Sequence, residues 1–180
     1  MTLFTYSKFH NAALYQAIWF TAVLGTTEFE WLLVLLLVLH LFASNDWRTE
    51  LPLMLCGSAV GVSMDAVFTM IGMFEFEPSS PSATSSPTVP FWLVTLWMGF
   101  CATLRSSMSF MTARPVLMMF LAAIGAPSSY LAAMKLGAVT FPHGTILTAI
   151  VVGAGWVIVT PVLIFLQRLL SEKPQGQLAS

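Results

Sequence analysis

Charge is what this chain lacks. Seven Lys plus Arg and eight Asp plus Glu make up 8% of its 180 residues, where an ordinary soluble domain carries about 25%. So few charges do not cover a globule of this size in water, which argues against a soluble domain. The 57% hydrophobic content argues equally against intrinsic disorder. A net charge of -1 supplies no basic field for nucleic acid. Cysteine is scarce as well. Cys56 and Cys101 stand far apart inside apolar runs, too few for a disulfide framework or a CxxC site, and read as small packing residues. His10, His40 and His143 are scattered, with no H-E-x-x-H pairing. No G-x-S-x-G elbow, P-loop or dinucleotide fingerprint occurs. No metal and no cofactor is expected.

What the chain has is long apolar runs. A helix crossing the hydrocarbon core needs about 20 apolar residues, with a range of roughly 17–25. Residues 51–73, 91–111 and 146–166 meet that length, interrupted only by Asp65 in the first and Arg105 in the second. Residues 116–136 do so across a Gly125-Ala126-Pro127 interruption, which membrane helices tolerate when neighbours satisfy the freed carbonyl. Two shorter runs, 9–25 and 29–44, are separated only by Thr26, Thr27 and Glu28 and predict a tight helical hairpin. The expected fold is all-α: one polytopic transmembrane bundle over 1–180 with about six spans. Gln16 interrupts the first run and no small-x-small site follows Gly25, so the N-terminal segment reads as retained rather than as a signal peptide.

With both termini in the cytoplasm, Lys8, Arg48, Arg114, Arg168 and Lys173 fall inside and only Lys135 outside, as the positive-inside rule requires. The Pro/Ser/Thr-rich stretch 75–90 then reads as an external loop and the polar stretch 171–180 as a cytoplasmic tail. No connection is long enough to build a soluble domain.

Asp65 is the first candidate site. It lies 14 residues past Leu51, roughly 21 Å up the helix at 1.5 Å per residue, where a carboxyl costs about 2.5–3.5 kcal/mol on insertion scales. It should therefore face other helices. Gly57, Gly61, Asp65 and Thr69 recur every four residues as one stripe, with Gly57 and Gly61 allowing close helix packing. Asp65 reads equally as a functional acid or as hydrogen-bonding glue in its protonated form. Arg105 lies roughly 12 Å from the inner boundary. It reads first as a guanidinium snorkelling to the headgroups, and second as a binding residue sharing a helical face with Trp97. Gln16 is expected to bond to another helix, while Asn11, Tyr15 and Trp19 fit an interfacial belt or packing. The acidic pairs Glu28/Glu30 and Glu75/Glu77 read as solvated helix ends rather than as a cation site with His143. Ser63 in Gly61-Val62-Ser63-Met64-Asp65 reads as a packing serine rather than as a hydrolase nucleophile paired with His143.

The ordered set Asn11–Gln16–Trp19, His40 ahead of Arg48 and Glu50, Gly61–Asp65, Pro90-Phe91-Trp92, Leu96-Trp97, Phe100, Thr103-Leu104, and Gly125-Ala126-Pro127 with Tyr130 resembles a bacterial membrane family. That family is domain of unknown function 2878, and the likeness runs over about 11–170. The resemblance implies a small multi-pass protein of the inner membrane of Gram-negative bacteria, near genes for fatty-acyl-modifying enzymes, and brings no established reaction. Three functions compete. The first is an accessory protein in membrane lipid or fatty-acyl modification, whose partners are the bilayer, acyl lipids or lipid-modifying enzymes. The second is a small transporter or channel using Asp65. The third is a membrane-embedded enzyme. Oligomeric state is open.

Overall fold

The computed structural model describes residues 7–44, 46–76 and 89–171. Glu77, most of the 75–90 stretch and Lys173 with the tail lie outside the described residues. Within them the chain forms seven helices: α1 (Lys8–Gly25), α2 (Glu30–Ala43), α3 (Trp47–Met70), α4 (Phe91–Cys101), α5 (Ser109–Thr112), α6 (Pro115–Lys135) and α7 (Thr145–Ser171). No strand occurs among the described residues; Glu75 and Thr140 make only an isolated antiparallel bridge.

Three helices, α3, α6 and α7, are long and apolar enough to cross a membrane. α2 and α4 are apolar but shorter, at 14 and 11 residues. Large apolar side chains project outward all round the bundle, among them Phe42, Val116, Phe120, Ile158 and Phe165. Water would not tolerate so continuous a belt; hydrocarbon would.

Contacts sort the helix ends into two groups. Asn11 at the start of α1 reaches Ala102 and Ser107, Arg105 reaches Asp46 and Glu50 at the start of α3, and Arg168 near the end of α7 donates to the Thr112 carbonyl. At the opposite end the Glu75–Thr140 bridge ties the α3–α4 connection to the α6–α7 connection.

Two helices depart from the expected outline. α3 begins four residues before the expected 51, so Pro52 sits inside it. The carbonyl freed by that proline belongs to Arg48, an outward-facing residue at the helix end, where a missing partner costs least. α4 stops at Cys101 instead of running to 111. Beyond it, the amides of Thr103, Leu104 and Ser106 bond three residues back in tight turns. The buried Asn11 amide then fills the break: its Nδ2 donates to the Ala102 carbonyl at 3.1 Å, and its Oδ1 accepts from the Ser107 amide and hydroxyl at 3.2 and 2.6 Å. A run of Thr and Ser, whose side chains compete for backbone groups, weakens the helix there. An asparagine from another helix supplies the missing partners.

α6 runs unbroken through Pro127. The proline withholds an amide from the Ala123 carbonyl, and that carbonyl faces α7 at Gly153. A Cβ on Gly153 would lie 2.9 Å from the Ala123 oxygen, so only glycine admits this approach.

Candidate functional site

Asp65 sits on α3 at 0% exposure. The Trp97 Nε1–H of α4 donates to its Oδ2 at 2.6 Å, and the Tyr130 hydroxyl of α6 donates to Oδ1 and Oδ2 at 2.7 and 2.8 Å. One carboxyl thus joins three helices. No cationic side chain forms an ion pair with it among the described residues; the pairs there involve Glu50 and Asp46. Each hydrogen bond to a charged or strongly polar buried group contributes about 1.5–3 kcal/mol, enough in sum to offset the insertion cost of the acid.

The stripe on α3 explains how the indole reaches the acid. Gly61, one turn before Asp65, lies directly under Trp97, and a Cβ there would overlap the indole ring. Gly57 lies in the same way against Cys101 of α4. Thr69 differs: its hydroxyl donates back to the Asp65 carbonyl at 2.8 Å within its own helix. Rings hold the donors in place. Trp97 stacks on Trp156 with centroids 4.8 Å apart, and Phe100 meets both edge-on. Tyr130 stacks on Phe74 at 5.0 Å.

Trp97 and Tyr130 form the back wall of a cavity of about 560 Å³ bounded by α1, α4 and α6. That volume falls within the roughly 300–1,000 Å³ of small-molecule sites. Among the described residues, no Asp, Glu, Lys, Arg or His lines it. Phe76, Trp92 and Val139 close one end, and Met108, Met111 and Met118 furnish the other with flexible, polarisable side chains. α1 packs on α2 and α4, while α6 packs on α7 and α5. Along the side where α1 faces α6 the cavity is open, with Gln16, Leu121, Gly125 and Ser128 on its rim. One hydrogen bond crosses that opening, from Trp19 Nε1 to Ser129 Oγ at 2.8 Å. Tyr15 and Gln16 present their polar ends on the wall without a hydrogen-bond partner among the described residues.

Of the expected site residues, Asp65 and Trp97 touch, and Trp97 and Gln16 share the cavity. Arg105 belongs elsewhere. Its Nη2 pairs with Asp46 Oδ2 at 2.9 Å and its Nη1 with Glu50 Oε1 at 3.2 Å, while the buried His40 lies 3.7 Å from the other Glu50 oxygen. Arg105 therefore neither contacts Asp65 nor snorkels alone. Nor does it share a helical face with Trp97, because the helix that would carry both ends at Cys101. Ser63 faces outward and donates to the Ala59 carbonyl, and the His143 ring lies beside Gly72. No group of three metal-ligating side chains occurs among the described residues.

Three residues escaped the sequence reading as site members. Tyr130 entered only through the family likeness, although a buried carboxyl demands donors and Tyr130 carries the only phenol on α6. Asn11 was assigned to the boundary; an amide four residues inside a helix start, opposite a Thr/Ser run, was the available signal. Ser129 had none beyond its neighbour.

No curated protein and no solved structure matches the chain. The family model described as a protein of unknown function, DUF2878, matches residues 8–162, and the chain belongs to that family.

Proposed function

We propose that this is a six-crossing inner-membrane protein, one domain with both termini cytoplasmic, that holds the acyl chain of a membrane lipid in the side-opening cavity. In this reading it serves an accessory role in lipid or fatty-acyl modification. The cavity carries the reading: it is large, without charged lining among the described residues, and open where α1 and α6 pack only sparsely, a direction that faces lipid rather than water. The six crossings count α4 together with the turns and α5 up to Thr112, and they require the bilayer to adapt to α2 and α4 at modest cost. Exposed Arg48 and Arg114 at the end where α3 and α6 begin support a cytoplasmic face and would offer an anionic-lipid or enzyme contact. A transporter built on Asp65 draws less support, because Trp97 and Tyr130 occupy both carboxyl oxygens.

Gly125 gives the test. It lines the cavity, and nothing lies within 4 Å of a Cβ placed there. Gly125→Leu should partly fill the cavity at its mouth, where a Cβ meets nothing within 4 Å, and strengthen the helix by roughly 0.8 kcal/mol. Lipids co-purifying with the protein, counted by native mass spectrometry, should fall sharply while the thermal midpoint holds or rises. Undiminished lipid in the filled variant would remove the reading.

A further inference from the structure

We infer that the occupant of the cavity is an uncharged lipid alcohol, whose hydroxyl is seated between Tyr130, Ser129 and Gln16. This rests on the cavity reading above and adds the chemistry of the ligand's polar end.

The wall excludes ionic headgroups. No cationic side chain lines the cavity among the described residues, so a phosphate or carboxylate there would be buried without a counter-ion. The carboxyl behind the wall is Asp65, held by Trp97 and Tyr130. A carboxyl is negative or neutral, never positive, so it gives an anion nothing in either state.

The hydrogen-bond directions then narrow the choice. The Tyr130 proton is committed to Asp65, so toward any further partner the phenol oxygen can only accept. Tyr130 is thereby turned into a fixed acceptor. The Ser129 oxygen accepts from Trp19, which leaves its own proton for donation. Gln16 brings a donor and an acceptor, both unpartnered among the described residues. A seat that accepts at one wall and donates at another complements a hydroxyl, which does both. A ketone or quinone oxygen only accepts, so it would satisfy the donors but leave the Tyr130 acceptor unmatched.

Depth agrees. Gln16 lies eight residues beyond Lys8, roughly 12 Å into the helix. A hydroxyl bound at that level belongs to a lipid carrying no charged group there, with its chain running along the aromatic and methionine lining.

The experiment uses the full chain in nonionic detergent. Trp19, Trp92, Trp97 and Trp156 line the cavity, so a brominated chain entering it quenches their fluorescence. Three probes share one brominated octadecyl chain and end in a free hydroxyl, a methyl ether or a sulfate ester. The alcohol should bind roughly tenfold tighter than either of the others, the difference made by one satisfied buried hydrogen bond. Gln16→Leu, at a residue that bonds to nothing among the described residues, should bring the alcohol down toward the ether and leave the ether unchanged. An ether or sulfate that binds as tightly as the alcohol overturns the hydroxyl assignment while the acyl-chain reading stands. Absence of saturable quenching by all three removes both. A full alcohol preference in Gln16→Leu counts against the seat.

Discussion

Two acids in this molecule are taken out of water in opposite ways. Glu50, near the start of α3, is met by charge: Arg105 pairs with it and with Asp46, and His40 approaches its second oxygen. Asp65, four turns further along the same helix, is met by neutral donors, the indole of Trp97 and the phenol of Tyr130. The difference follows from distance to water. An ion pair keeps part of its hydration at the bundle end, where Arg105 is 19% and Asp46 45% exposed in their side chains. Deep in the bundle, a second charge would have to be desolvated as well, whereas tryptophan and tyrosine bring a donor on an apolar body. The first arrangement clamps helix ends; the second shapes a wall.

The largest effect should come from splitting the charged cluster. Arg105→Ala leaves Glu50 buried without its cation, and loss of one partner of such a pair costs about 3–5 kcal/mol, less whatever water reaches the partly exposed guanidinium. Chemical unfolding in detergent should show the loss, and the double variant Arg105→Ala with Glu50→Gln should recover much of it. Next is Asp65→Leu, which strands two buried donors and should cost about 1–3 kcal/mol. Asp65→Asn, still an acceptor for both, should cost clearly less. An equal loss in both would mean that charge, not acceptance, holds the three helices together. Gly61→Ala should follow at about 1–3 kcal/mol, because the added methyl displaces the Trp97 indole from the carboxyl; a shifted tryptophan emission spectrum would report it. Ser129→Ala should be the mildest, within about 1 kcal/mol, since it removes only the bond spanning the opening. Faster exchange of bound lipid, with little change in midpoint, is the outcome to measure.

How far these features were legible in the sequence depends on whether one helix or several decide them. Apolar length is a property of one segment, so the bounds of α1, α6 and α7 lie within a residue or so of the expected runs at their starts. The oddity of Asp65 is also local, since any carboxyl in hydrocarbon must find a partner. The end of α4 is only partly local: the Thr/Ser run from Thr103 to Ser109 weakens the helix, and Asn11, over ninety positions away, supplies the partners that let it stop. Arg105 was misplaced for the same reason, its depth having been measured along a helix that is not there. The cavity was the least legible of all. It exists because α1 and α6 pack only sparsely, with the Trp19–Ser129 bond across the gap, and nothing in either helix alone announces that gap.

Direct labelling tests most simply whether lipid enters between those two helices. A phospholipid with a photoactivatable group near the end of one acyl chain, present in the membrane during illumination, should mark peptides containing Gln16, Trp19 and the 121–130 stretch. Marks confined to the outer belt, at residues such as Phe42, Ile158 and Phe165, with those peptides untouched, would contradict it.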